Sequence, residues 1–253
     1  MVMKKKFIFI NSCDRYQKLW YYIVKRYIHI LGVSSSSYTF VINNEVAVCE
    51  RIKDLTDNIV FVSDIRGPRY FPLNEWSNHL NTALVALEPI LADSVILYAQ
   101  DDYYLLDQDL DWKLGQAYSL MCSRRIDCLH LSNQTIKYDQ IFARWRPYYF
   151  NTQMALWKPA MLKEVTSNVM NPWIWELCYQ FWCMRRVSIV GACDSFLIDY
   201  VALIKDGRYL ERYIPILDRE FSVAVTSSLT PFQGAETSKL NTLMKIIRSV
   251  VKF

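Results

Sequence analysis

Ser94-Val-Ile-Leu-Tyr-Ala-Gln-Asp-Asp-Tyr-Tyr-Leu105 runs from an aliphatic strand pattern straight into two adjacent aspartates, Asp101 and Asp102. A short continuous apolar run suits a strand covered on both faces, as in a parallel sheet. Carboxylates are seldom buried unless they are paired or hold a cation. At the C-terminal edge of a strand in an open α/β sheet they stand where ligands bind. Two hard oxygen donors at that place suit Mg²⁺ or Mn²⁺ carrying a substrate diphosphate, which points to nucleotide-sugar chemistry. The competing reading is a solvated acidic turn ahead of a core segment that opens at Tyr103.

The same grammar extends on both sides. Phe7 to Asn11 predicts a first strand, Tyr38 to Ile42 a second ending in Asn43-Asn44, and Ile59 to Val62 a third ending in Ser63-Asp64. Between them, Tyr16 to Leu31 carries Leu19, Trp20, Ile23, Tyr27 and Ile30 at helical spacing, and Asn74 to Leu91 predicts one further helix. Strand and helix alternate as in an α/β sheet. Farther on, the spacing predicts helices over 109–122 and 158–166, strands over 126–131 and 188–192, and an extended aromatic segment over 142–149. Asn171-Pro172 opens another helix, with Asn as cap and Pro at the first position. Asp206-Gly207 signals a hairpin. The expected organisation is one domain over residues 1–220 and a tail over 221–253.

Composition removes several classes. Hydrophobic residues make up 52% of the 253-residue chain, enough for a sizeable core. With 6 glycines there is no GxGxxG and no GxxxxGK[ST] phosphate cradle. A net charge of +4, drawn largely from the two ends, is too weak for a nucleic-acid face. The 7 cysteines include no CxxC pair and read as reduced thiols of a cytoplasmic protein. No apolar stretch is long enough to predict a membrane span or a signal peptide.

Four blocks then converge. Ser12-Cys13-Asp14-Arg15-Tyr16 with Leu19-Trp20 follows the first strand, and Gln100-Asp101-Asp102-Tyr103-Tyr104-Leu105 follows the fourth. Thr152-Gln153-Met154-Ala155-Leu156-Trp157-Lys158 comes next, and after a gap Pro172-Trp173-Ile174-Trp175-Glu176. In order and spacing, over roughly residues 7 to 215, they resemble bacterial glycosyltransferases of GT-A type that build lipopolysaccharide, O-antigen or capsule. The resemblance implies a GT-A-like, Rossmann-related, mostly parallel sheet flanked by helices. It implies a nucleotide-sugar donor, and a glycan or lipid-linked glycan as acceptor. Asp102 would bind Mg²⁺ or Mn²⁺ or the diphosphate, and Asp101 the ribose or donor sugar. Two departures stand out: Tyr104 ends the acid motif, and no histidine follows Glu176, where many metal-dependent members take a further ligand.

Glu176 is the candidate general base of an inverting transfer, removing the acceptor hydroxyl proton. Trp173 and Trp175 are expected to flank it as sugar-facing rings, raising its pKa, with the helix N-terminus acting the other way. The competing reading is an exposed helical glutamate beside core tryptophans. Asp14 and Arg15 lie where base or ribose would be read, and Asp14 is equally an N-cap. Asn43 with Asn44 are site or turn residues. Asp64, Arg66 and Arg69 approach the diphosphate or form a solvated loop. Gln153 is expected to hydrogen-bond a sugar hydroxyl, and Trp157 to be core.

Residues 239–253 read as a basic amphipathic helix, which suits either an anionic membrane surface or packing on the domain itself. The expected location is therefore cytoplasmic and peripheral on the inner face of the cytoplasmic membrane. Rival functions are a sugar-phosphate nucleotidyltransferase, disfavoured by the glycine-poor first loop, and a non-catalytic glycan-binding or scaffold protein.

Overall fold

The computed structural model describes residues 6–132, 152–168, 171–176, 189–191, 197–205 and 208–210. The chain begins β1 (Lys6–Asn11), α1 (Gln17–Leu31), β2 (Tyr38–Asn43), α2 (Glu50–Lys53), β3 (Ile59–Phe61) and α3 (Val62–Arg66). It continues with α4 (Trp76–Ala86), α5 (Glu88–Leu91), β4 (Val95–Gln100), β5 (Tyr103–Leu105), α6 (Leu110–Arg124) and β6 (Cys128–His130). Then come β7 (Ala155–Trp157), α7 (Pro159–Val165), a helix α8 described over 172–176, β8 (Ile189–Gly191), β9 (Tyr200–Ala202), β10 (Ile204–Lys205) and β11 (Arg208–Tyr209).

Among the described residues seven strands form one sheet in the order β3-β2-β1-β4-β7-β6-β8, with β7 alone of these running against its neighbours. Sequence order reverses at β1, which pairs in parallel with both β2 and β4. That reversal opens a crevice beyond the carboxyl ends of β1 and β4. The acid pair stands at this edge. The fold is thus the α/β sheet that the apolar runs imply.

Helices cover both faces. On one, Trp20, Ile23 and Tyr27 of α1 and Leu114 and Ala117 of α6 pack on Ile8, Ile10, Leu97 and Ala99. On the other, Leu80, Ala83 and Leu84 of α4 and Leu162 and Val165 of α7 pack on Phe7, Phe9, Ile96 and Tyr98. Alternation along each strand sends odd and even residues to opposite layers. Each such large apolar side chain contributes roughly 1.5–3 kcal/mol when buried.

Four expectations change. The helix expected over 74–91 is two helices, because Pro89 lacks an N–H and its ring clashes with the preceding turn, so α4 stops at Ala86 and α5 restarts at Glu88. The third strand ends at Phe61, and Val62 to Arg66 coil as α3. Ala155 to Trp157, for which no strand was expected, form the strand that joins β4 to β6, and Trp157 is core as expected. Trp175 is core: it is 2% exposed, packs on Trp76 and donates its indole N–H to the Val165 carbonyl at 2.7 Å. Ile204 and Lys205 pair with Tyr209 and Arg208 across the expected hairpin. The segment 142–149, the rest of the helix past 176, residues 206–207 and the tail helix lie outside the described residues. Among the described residues no helix is long and apolar enough to cross a membrane.

Candidate active site

Asp101 and Asp102 follow β4 directly, and their surroundings explain how two acids sit at a strand end. Asp101 is 5% exposed. Its Oδ2 accepts the hydroxyl of Ser12, which follows β1, and that same Ser12 oxygen accepts the indole N–H of Trp20 from α1. Burial and the adjacent Asp102 raise the Asp101 pKa to about 8, against the Ser12 hydrogen bond. Asp102 is pushed up to about 7 by burial, opposed by its own and the Ile204 backbone N–H groups. The segment after β9 closes over it, with Leu203 N–H donating to the Asp102 carbonyl at 2.8 Å.

These carboxylates fit a divalent cation. They are adjacent hard oxygen donors, Asp101 buried and Asp102 half-buried, and burial makes both of them costlier to ionise without one. Among the described residues no third histidine, cysteine or acid joins them, so diphosphate oxygens and water would complete the shell. Cys13 lies beside the pair. Its thiol is pushed up to about 12 by burial, then by Asp101 and Glu45, so it stays protonated.

On the opposite face of the same edge, Asn43, Asn11 and Gln100 lie side by side across β2, β1 and β4. Asn43 donates to Asn11 Oδ1 at 2.7 Å, and Gln100 Nε2 donates to the Thr152 carbonyl at 3.3 Å. Asn43 is fully buried, and its Oδ1 has no hydrogen-bond partner among the described residues. Thr152 then meets Glu176. Its N–H and Oγ1 both donate to Glu176 Oε1, at 2.7 and 2.8 Å. Burial raises the Glu176 pKa and these two donors oppose it. The helix N-terminus expected to do so is a turn away at Pro172, with Asn171 Oδ1 capping the Ile174 N–H at 2.8 Å. Trp173, 42% exposed, is the aromatic residue left to face solvent beside Glu176.

The remaining candidates divide. Asp14 accepts the backbone N–H groups of Glu45, Val46 and Ala47 at 3.0, 2.9 and 2.8 Å, so its carboxylate shapes the loop after β2. Arg15 is exposed with its guanidinium near the Tyr16 ring, and Asp64 is exposed on α3. Asn44 ties that loop to Ser63 and Ala47. Arg66 and Arg69 both lie over Phe71, each at 4.8 Å from the ring centre. Gln153 Oε1 accepts the Tyr200 hydroxyl.

Sequence reasoning passed over Glu45, whose buried carboxylate accepts the Phe71 and Asp14 N–H groups at 2.8 and 3.2 Å. It also passed over Ser12, Gln100 and Thr152 as individual residues. An acid two residues past a strand end was the available signal for Glu45. Gly67 turns the chain back toward it at φ 87, a conformation that side-chain-bearing residues avoid.

No family model matches the chain, and no curated protein matches it. Solved structures do. A mannosyltransferase, PcManGT from Pyrobaculum calidifontis in complex with GDP-Man and Mn²⁺, aligns over 100% of this chain and 82% of its own, with TM-score 0.51 and 11% identity. TarS 1-349 from S. aureus in complex with UDP-GlcNAc aligns over 81% of this chain, with TM-score 0.51 and 13% identity. The alignment covers 60% of that TarS chain, less than two thirds of its length. A cytidylyltransferase from Leptospira borgpetersenii aligns over 98% of this chain and 96% of its own, with TM-score 0.47 and 12% identity. The fold is therefore GT-A-like.

Proposed function

We propose that the protein is a glycosyltransferase that moves a sugar from a nucleotide-sugar donor to a hydroxyl of a growing bacterial surface glycan, with inversion. The observation that carries this reading is one edge of the sheet bearing two chemistries. The pair of buried Asp101 and half-buried Asp102 stands at the strand-order reversal, and the carboxylate Glu176 is linked to the same edge through Thr152. A binding module would have little need of either.

In this reading the acceptor oxygen attacks the anomeric carbon as its proton passes to Glu176. The bond from that carbon to the diphosphate oxygen breaks, and its electron pair leaves with the nucleoside diphosphate. Asp102, with Asp101 beside it, would hold a divalent cation that supplies positive charge to the leaving diphosphate. Ser12 and Trp20 fix Asp101, and Thr152 opposes the rise that burial causes in the Glu176 pKa. Trp173 offers its ring to the acceptor. The basic amphipathic pattern of residues 239–253 supports a lipid-linked acceptor at the inner face of the cytoplasmic membrane.

The deciding experiment is a thermal shift with UDP, GDP, CDP, CMP and TDP, each with and without Mn²⁺, on wild type and Asp102→Ala. A shift with one nucleotide that the variant loses supports the transferase and names the donor class. Folded protein that responds to none of them overturns it.

A further inference from the structure

We propose that Thr152 is the positioning residue of Glu176, and that its carbonyl ties that carboxylate to the turn bearing the acid pair. This rests on the reading of Glu176 as the base of the transfer.

The placement follows from strand direction. Because β7 runs against its neighbours, its leading end lies at the carboxyl edge of the sheet, with Ala155 opposite Tyr98. Thr152 precedes Ala155 and so comes level with Gln100 to Tyr103. There it faces both ways. Its carbonyl accepts the Tyr103 hydroxyl at 3.1 Å and Gln100 Nε2 at 3.3 Å. Its N–H and Oγ1 reach Glu176 Oε1 at 2.7 and 2.8 Å. Gln100 and Tyr103 bracket Asp101 and Asp102 in sequence.

Thr152 is 9% exposed, so these bonds form away from water, where they are electrostatically stronger. Threonine is also stiff at χ1, which limits the freedom lost in holding Oγ1 on the carboxylate. Burial drives Glu176 toward its neutral form, and the opposing influence is the pair of donors from Thr152. Among the described residues the phenols of Tyr98 and Tyr103 also face it, and burial raises them so far that they stay neutral across the working range. Thr152 thus acts directly on the base strength of Glu176, against burial. A cation or diphosphate that shifts the Gln100–Tyr103 turn shifts Thr152 with it.

The test is a ¹³C-carboxyl NMR titration of the full-length protein, with Glu176→Gln to assign the signal. Thr152→Val keeps the shape and the N–H but removes the hydroxyl. It should raise the Glu176 pKa by about one unit, a tenfold change in the ionisation equilibrium. Thr152→Ser should restore the wild-type value, and Tyr103→Phe should shift it in the Val direction by less. If Thr152→Val does not fold, Thr152→Ala gives the same comparison with less steric demand. A folded hydroxyl-free variant that titrates like wild type overturns the proposal, as does a Ser variant that titrates like the Val one.

The titration needs neither donor nor acceptor. Absence of any transfer therefore counts against the transferase reading, and the NMR result still decides the link between Thr152 and Glu176. Where transfer is found, Thr152→Val should move the acid limb of kcat by the same shift, with donor KM unchanged. An unmoved limb rejects the positioning role.

Discussion

Ser12, one residue beyond β1, donates its hydroxyl to the carboxylate of Asp101, one residue beyond β4, and takes the indole N–H of Trp20 on the same oxygen. Ser12→Ala would strand a buried donor and a buried carboxylate together. An unsatisfied buried group costs about 1–3 kcal/mol. Urea unfolding should register a loss of that size, along with weaker nucleotide binding. Ser12→Thr should retain most of both.

In the proposed reading Asp101 and Asp102 serve a ligand rather than stability. Asp101→Asn removes the buried one of two neighbouring carboxylates while leaving an oxygen for Ser12. It should raise the apo-protein's stability by on the order of 1 kcal/mol and abolish turnover, the trade expected at strained functional sites. Asp102→Ala should remove the Mn²⁺-dependent part of any nucleotide shift, which at a ligand excess of ~100-fold over Kd is roughly 2.7 kcal/mol. Adding EDTA to wild type should give the same loss.

His79 gives the protein an acid-sensitive joint away from the acid pair. Its ring stacks on Phe71 at 4.6 Å and its Nε2 lies 3.4 Å from the Asn44 carbonyl oxygen. Burial, then the Arg66 guanidinium, lowers its pKa to about 4. An unfolded chain binds that proton near pH 6.5, so between pH 6.5 and 4 the unfolded state holds more protons. Stability should therefore fall as pH drops through this window, by at most about 1.4 kcal/mol per unit. Denaturant titrations at pH 7 and pH 5 should show a steeper loss for wild type than for His79→Phe.

Asp14 takes three backbone N–H groups from the loop that carries Glu45. Asp14→Ala should cost roughly 2–3 kcal/mol, because hydrogen bonds to a charged acceptor contribute more than neutral ones. Nucleotide affinity should fall only in step with the loosened loop. A variant with wild-type stability and no nucleotide binding would instead make Asp14 a direct ligand.

Trp173 and Trp175 should separate by assay. Trp175→Ala opens the core against Trp76 and Val165 and should cost about 3–5 kcal/mol. Trp173→Ala, at a half-exposed position, should change stability by less than about 0.5 kcal/mol while raising acceptor KM.

Much of this architecture was legible because its signals are local. β1, β2 and β4 are apolar runs since both faces of the sheet are covered, and α1 and α6 carry their spacing in sequence. The acids of β4 and the Asn-Pro start of α8 were likewise readable in place. β7 was not, because three residues behind a polar block become a strand only by filling the gap between β4 and β6. The role expected for Trp175 failed for a related reason: position beside Glu176 along the chain does not fix the side of the helix a ring faces.

The sequence by itself determined the alternation of strand and helix, the acids at a strand end and the glutamate in a later helix, because periodicity and capping act over a few residues. Only the tertiary structure decided what those acids touch. The Ser12–Asp101 bond spans 89 residues and the Thr152–Glu176 bond 24. No local propensity encodes such pairings. Strand order and the reversed direction of β7 bring their ends to one edge, where burial and a few donors set the proton affinity of each carboxylate.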